Sequence, residues 1–452
     1  MTWRFLSRCG VQVDAIVEFA PSTGWLMLML WPLLYQYSDF HPATRYLQLA
    51  AVSIIFLLLF LSDLLCFQRS VKRVRVVDNR VGKSWLIYMG IFSLVPVAVH
   101  LYLMPKIPLL SWVFENEAAR GSLVLLREGA AKLLDVPTAV KYLFVWPLVI
   151  LAPMYIVVAF WAGYWGLALM GLVIASLYAV ATLAKFPLVL LWSTCLFASC
   201  TLPSRFRRIL SAAWIGAVLL GVAGVSILLL SGALDFMKIS PAHVQSSVFS
   251  EMKEDDPRRT LTLGDVARLE SPEAAQQRSV AINLATSALY RVWLTPSDVS
   301  HRWYQYFTYV KKEPLGFHNF FPTKAMRSEA PSREVGIWAY QERFPDKYGA
   351  TISAYASFDA DAFARGGVWG VMLATILLLL VRVGAAFLLA AHPVGLVSYG
   401  VLLCGLAILP SSASLQAMLG AHGLFLIFIF LLVLRVWSVR TGKSSFHLTH
   451  SK

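Results

Sequence analysis

The chain has 452 residues, 58% of them hydrophobic and 14% charged, with mean hydropathy +0.65 and a formal net charge of +14. Soluble domains carry about a quarter of their residues as charges, so this composition excludes an ordinary soluble protein and points to a polytopic α-helical membrane protein. The positive balance does not signal a nucleic-acid partner: residues 235–366 hold 16 Lys/Arg and 16 Asp/Glu, so the surplus lies in short loops and at the termini.

A hydrocarbon core of roughly 30 Å takes about 20 apolar residues to cross as helix. About ten runs fit: 22–38, 46–67, 84–104, 142–160, 162–183, 187–203, 210–233, 368–390, 394–411 and 417–438. The fourth and fifth divide near Trp161 to Gly163, and the amphipathic stretch 106–140 reads as a helix lying on the membrane surface. Basic residues in short loops mark the cytoplasmic side. Arg4 and Arg8, the group from Arg69 to Lys83, Arg205 with Arg207 and Arg208, and Arg435 with Arg440 and Lys443 all fall on one side of a ten-span chain. Both termini are then cytoplasmic, and the loops 105–141 and 235–366 are both outside. The chain divides into an amino-terminal membrane region, 1–234, a large extracytoplasmic loop, 235–366, expected to be mostly helical, and a carboxy-terminal membrane region, 367–452. No cleavable signal peptide is evident.

The large loop begins as a connector, with a helix start at Ser271-Pro272-Glu273. Between Tyr290 and Phe321 it becomes dense in rings, Trp293, Trp303, Tyr304, Tyr306, Phe307 and Tyr309 among them, interleaved with Arg291, His301, Arg302, Lys311 and Lys312; Arg327, Arg333 and Arg343 follow. Rings with cations between them suit a sugar, which packs its C–H face on a ring, or a pyrophosphate, which Arg grips with two N–H groups. An aromatic belt at the membrane interface is the plainer reading, but it leaves the outer cations unexplained. His318 in Gly316-Phe317-His318-Asn319-Phe320 is a candidate base or phosphate ligand, and Glu334, Glu342, Asp346, Asp359 and Asp361 are candidate carboxylate bases. Glu334 leads the acids because Arg327 and Arg333 lie within seven residues of it. Asp359 and Asp361 lack a third metal ligand in the sequence, and no metal is assigned.

Arg120 and Arg127 in the smaller loop are two helical turns apart, so they share one face, either of an interfacial helix or of an anion-binding one. Arg382 lies within a span, where a charge usually faces a cavity or a partner, unless it snorkels to the interface. Cys9, Cys66, Cys195, Cys200 and Cys404 have neither disulfide nor zinc spacing, and read as packing residues. No phosphate-binding glycine loop or dinucleotide fingerprint is present, and no cofactor is assigned.

The plan of ten or so spans, a smaller outer loop early and a large one late, resembles the O-antigen polymerases (the Wzy type) and the related O-antigen ligases and oligosaccharide repeat-unit polymerases. Gly316-Phe317-His318-Asn319-Phe320 is similar to the His-Asn pattern of the ligase branch. The run Ala364-Arg365-Gly366-Gly367-Val368-Trp369-Gly370 resembles the glycine-punctuated re-entry that follows the loop in these families. About fifty residues separate His318 from the next span, more than in the ligases, which favours the polymerase branch. No outer-loop arginine is followed eleven positions later by glycine, as some polymerases have.

The resemblance implies an all-α, GT-C-like membrane glycosyltransferase of the bacterial inner membrane that builds a surface polysaccharide such as O-antigen, the polymer of lipopolysaccharide. Polyprenyl-pyrophosphate-linked oligosaccharides, of the undecaprenyl type, are its implied substrates, without a metal. A flippase and a chain-length regulator are implied partners beside the bilayer. On this reading His318 and Glu334 are catalytic candidates. Arg291, Arg302, Arg327, Arg343, Arg120, Arg127, His301, Trp303 and Tyr304 are candidates for substrate binding. A lipid-linked oligosaccharide transporter, and a membrane scaffold whose outer segment binds a partner, are the competing readings.

Overall fold

The computed structural model describes residues 17–36, 42–73, 81, 83–104, 107–110, 146–182, 185–201, 293–316, 331–341, 354–389 and 392–440. Among these residues every regular element is helical. Lipid offers no partner for a backbone N–H, so an apolar segment satisfies its own polar groups by coiling. Each expected run falls on a helix except 210–233, which lies outside the described residues, as do Ser271-Pro272-Glu273 and nearly all of 106–140.

Numbering the described helices in chain order, α1 joins Ala20–Trp25, a wide π turn Leu26–Leu30 and Trp31–Tyr35. Helix α2 is Pro42–Arg73 and α3 is Lys83–Leu103. Helix α4 is a π turn Pro147–Leu151 running into Ala152–Trp161, followed by α5, Trp165–Ala181, and α6, Lys185–Cys200. The segment expected to form the large loop contains α7, Thr295–Gln305 continuing as Tyr306–Val310, and α8, Pro331–Gly336 continuing as Ile337–Gln341. Helix α9 is Phe358–Leu388, α10 is Pro393–Ile408, and α11 is Leu424–Arg440 after a π turn Ala417–Ala421. Pro32 and Pro153 each stand two residues beyond a π turn. A proline offers no N–H to the carbonyl four residues back, and a widened turn is one way to relieve that loss.

Thr44–Phe67, Lys83–Leu103, Phe358–Leu388 and Val394–Ser411 are long and apolar enough to cross a membrane; Pro147–Trp161, Trp165–Ala179, Leu190–Cys200 and Leu424–Trp437 are apolar but shorter. The expected division near Trp161 to Gly163 is a turn in which Gly163 has φ +85°. Two boundaries differ from expectation. The run expected at 368 begins ten residues earlier, because the alanine- and aspartate-rich stretch after an extended Ser357 is already helical. Asp359 and Asp361 therefore occupy the first turn of α9, where carboxylates are favoured, instead of the end of a loop. The run expected at 417 is interrupted at Gly423, which has φ +70°, before α11 starts.

Helix α10 is the axis of the bundle, with 94% of its apolar window buried, and it packs against α1, α4, α6 and α11. Small residues allow the approach: a Cβ at Gly24 of α1 would stand 2.2 Å from the Ala407 carbonyl oxygen, and one at Gly400 2.7 Å from Cα of Ala198 in α6. Helix α9 packs on α2 and α11, and α7 lies across α1, α2 and α9.

Gly366 and Gly367 break α9, with φ/ψ of −141°/17° and 58°/−145°. The second pair belongs almost only to glycine. The break is needed geometrically. Arg382 reaches Glu18, and Phe358 packs its ring 5.2 Å from Trp25. Glu18 and Trp25 are only about 10 Å apart along α1, while Phe358 and Arg382 would be about 36 Å apart on a straight helix. The break turns the segment Phe358–Gly366 into the bundle, where Phe358 is fully buried.

Candidate functional site

Helix α7 starts with Pro296 in its first turn, has Asp298 near its N-terminus and Arg302 in its last turn, and so satisfies the helix dipole at both ends. Its composition is polar, yet Ser297, Asp298, Ser300, His301, Arg302, Trp303, Tyr304 and Gln305 are all buried. A polar stretch so buried must be held by hydrogen bonds, and these show where it is anchored.

One face docks on the ends of α1 and α2. Gln36 Nε2 donates to the Leu294 carbonyl (3.4 Å) and Gln48 Nε2 to the Ser297 carbonyl (3.2 Å). Gln48 therefore turns its Oε1 to His301 Nδ1 at 2.9 Å, so that this nitrogen is the donor. Thr44 Oγ1 is 3.4 Å from His301 Nε2. Trp293, just ahead of the helix, donates from its indole to the Met27 carbonyl (2.9 Å) and packs on Trp31 and Tyr35.

A second face meets α9. The Tyr304 hydroxyl donates to Asp359 Oδ2 at 3.0 Å and its ring centroid is 4.6 Å from that of Phe363. Burial pushes the Tyr304 phenol far above its ordinary value, so it keeps its proton. Ser357 Oγ is hydrogen-bonded to Asp359 Oδ1, and Ser300 Oγ lies 2.7 Å from Ser357 Oγ. Within α9, the buried Asp361 takes two N–H bonds from Arg365, at 2.7 and 2.9 Å, immediately before the glycine break.

A third face meets the rest of the loop. The Trp303 indole donates to the Ala354 carbonyl (2.9 Å), and Arg302 Nη1 donates to Gln305 Oε1 (2.9 Å). In α8, Glu334 Oε2 accepts from the Tyr306 hydroxyl (3.3 Å) and pairs with Lys311 Nζ (3.4 Å). Its side chain is 18% exposed.

His301, Arg302, Trp303 and Tyr304 are consecutive in α7, and Glu334 of α8 meets the end of that helix through Tyr306 and Lys311. Their burial was not legible in the sequence. Trp303 is 2% exposed and Tyr304 wholly buried, so in this arrangement their faces shape the site and are covered by protein. Arg302 is likewise inside, next to Gln305, and not at a surface. His318, Arg291, Arg327, Arg343, Arg120, Arg127, Glu342 and Asp346 lie outside the described residues. Sequence reasoning missed Ser300, Ser357, Gln36, Thr44 and Gln48. The available signal was polar residues at the ends of otherwise apolar runs, but Gln36, Thr44 and Gln48 are distant in sequence from the loop they hold.

At the other end of the bundle lies a second polar group. Arg382 donates from Nε to Asp63 Oδ1 (2.9 Å), from Nη2 to Glu18 Oε2 (2.7 Å) and from Nη1 to the Tyr399 hydroxyl (2.5 Å). Tyr399 in turn donates to Glu18 Oε2 (2.9 Å), and the Ser22 N–H donates to Asp63 Oδ2 (3.0 Å). Arg382 faces partners and does not snorkel. Among the described residues, Cys66, Cys195, Cys200 and Cys404 form no disulfide.

Comparison of the chain with protein-family models, curated proteins and solved structures finds no match. The resemblance to the O-antigen polymerases therefore rests on the span plan and two short motifs.

Proposed function

We propose that the protein is a membrane glycosyltransferase that joins polyprenyl-pyrophosphate-linked oligosaccharide repeat units on the outer leaflet. The observation that carries this reading is α7: a polar helix with His301, Arg302 and Tyr304, fixed on the ends of α1, α2 and α9 and flanked by Glu334. A lipid-linked substrate keeps its chain in the bilayer and presents its pyrophosphate and sugar where apolar helices give way to such polar groups.

In the proposed reaction a hydroxyl of one repeat unit attacks the anomeric carbon of another. The new glycosidic C–O bond forms as the bond to pyrophosphate breaks, and the hydroxyl proton passes to a base. His318 and Glu334 are the first candidates for that base, with Asp359 and Asp361 behind them. Arginines of the loop, among them Arg291, Arg302, Arg327 and Arg343, with Arg120 and Arg127 from the smaller loop, would balance the charge of the departing polyprenyl pyrophosphate. The ionic group around Arg382 and the broken helix α9 favour a second reading, a transporter of the same lipid-linked sugars.

The deciding experiment mixes the purified protein in detergent with lipid-linked repeat units and resolves the products on a gel. A ladder of chain lengths supports the transferase. No ladder, with translocation of labelled substrate in proteoliposomes, sinks it in favour of the transporter.

A further inference from the structure

The hydrogen bonds between α7 and α9 can be counted against the protons available to make them. Ser300 Oγ donates to the Pro296 carbonyl at 2.7 Å. Ser300 and Ser357 hydroxyls share a bond of 2.7 Å, Ser357 bonds Asp359 Oδ1, and Tyr304 donates to Asp359 Oδ2 at 3.0 Å. These are four hydroxyl-type bonds in one line, and Ser300, Ser357 and Tyr304 bring one proton each. With Asp359 ionised, both of its neighbours must point at it, and Ser300 can then serve either Ser357 or the Pro296 carbonyl but not both. With a proton on Oδ1, every bond is made: Asp359 donates to Ser357, Ser357 to Ser300, Ser300 to Pro296, and Tyr304 to the other carboxyl oxygen. The Ser357 N–H also donates to Ser300 Oγ at 3.3 Å, which fits an oxygen already receiving from the same residue.

The surroundings agree. Asp359, Ser300, Ser357 and Tyr304 are each wholly buried, and no described cation lies within ion-pair distance of Asp359. The titratable group bonded to Asp359 is Tyr304 from α7, while Asp361, two residues further along α9, is held by Arg365. From α1 the neighbour is Trp25, packed on Phe358. Several features favour a negative charge: the hydroxyls of Ser357 and Tyr304, the N–H groups of Ala360 and Asp359, and the first turn of α9. Burial with no described cation beside the carboxylate outweighs them.

We infer that Asp359 is held as a neutral carboxylic acid and acts as a proton-filled latch joining α7 of the large loop to α9. The proton can be lost only at the cost of one bond in the chain and an uncompensated buried charge. The latch therefore weakens as pH rises, and the opening equilibrium of α7 increases by up to about tenfold per pH unit beyond the point where the proton leaves. The latch does not depend on the proposed reaction, but it has one consequence there: a carboxyl already carrying its proton is not the base.

The test uses the full-length protein in nanodiscs and two readouts. Infrared difference spectra of wild type against Asp359→Asn should contain the carbonyl stretch of a protonated carboxylic acid, sensitive to deuterium. Asparagine copies the neutral acid, its N–H donating to Ser357 and its oxygen accepting from Tyr304. In hydrogen–deuterium exchange the variant should therefore protect α7 as well as wild type does at low pH. With rising pH, wild type should lose protection relative to it. Should Asp359→Asn fail to fold, Tyr304→Phe takes its place, and the acid band should persist at a higher frequency. Absence of an acid band assignable to Asp359 throughout the pH range in which the protein is folded overturns the latch, as does an Asp359→Asn protein that folds but protects α7 less than wild type at low pH.

Discussion

Arg382 and Asp63, 319 residues apart in sequence, form a fully buried ion pair with Nε 2.9 Å from Oδ1. Glu18 and Tyr399 complete the group, so the guanidinium ties together α1, α2, α9 and α10. Removing one partner of a buried pair leaves an uncompensated charge, at a cost of about 3–5 kcal/mol. Arg382→Gln should accordingly lower the melting temperature sharply in detergent. A triple replacement, Arg382→Met with Asp63→Leu and Glu18→Leu, should recover most of the loss. A single Arg382→Gln that melts like wild type would show that the group contributes little.

Two glycines should fail for different reasons. At Gly367 an added Cβ meets nothing within 4 Å, so Gly367→Ala is penalised only through its backbone conformation, by about 1–3 kcal/mol. At Gly24 the backbone is ordinary and the added Cβ would collide with the Ala407 carbonyl of α10. Gly24→Ala must push α1 and α10 away from each other, so thermal unfolding should show it as the more damaging substitution.

The Lys311–Glu334 pair separates chemistry from stability. Lys311 has a side chain 43% exposed, and exposed pairs contribute about 0–1 kcal/mol. Glu334→Gln should melt within a degree or two of wild type yet lose chain extension if Glu334 is the base. Normal extension by both Glu334→Gln and His318→Ala would remove the two leading candidates together.

Arg302 should behave unlike a surface arginine. It is buried and donates to Gln305, so Arg302→Ala should reduce stability by about 1–3 kcal/mol in addition to any effect on activity. Loss of activity in Arg291→Ala, Arg327→Ala or Arg343→Ala with unchanged melting is the cleaner sign of a phosphate contact. Arg→Lys at such a position should rescue only partly, since the fork is lost.

Sidedness can be checked by labelling. Because α7 docks on Gln36, Thr44 and Gln48, the connection between α1 and α2 must share a side with the large loop. Cysteines placed at Ser38 and Ser271 should react with an impermeant reagent from outside, and one at Ser444 only from the cytoplasm. Reaction of Ser271→Cys from the cytoplasmic side alone would overturn the orientation.

Long apolar runs in the sequence mark a helical membrane protein, and where most helices lie, because coiling is the only way such a segment satisfies its backbone in lipid. The turn near Gly163 was legible locally, whereas the glycines before Val368 stood out only through the resemblance of their run to a re-entry motif, and their conformation came from the structure. The clustering of His301 to Tyr304 in one aromatic and cationic stretch was also legible. The tertiary structure decided the rest. That Arg382 meets Asp63 and Glu18, that the polar stretch 297–305 of α7 is buried, and that Asp359 belongs to a helix and bonds Tyr304 and Ser357 all depend on pairing residues far from each other in the chain. Burial of a polar side chain depends on what another segment brings to it, and neither hydropathy nor spacing along one segment contains that information.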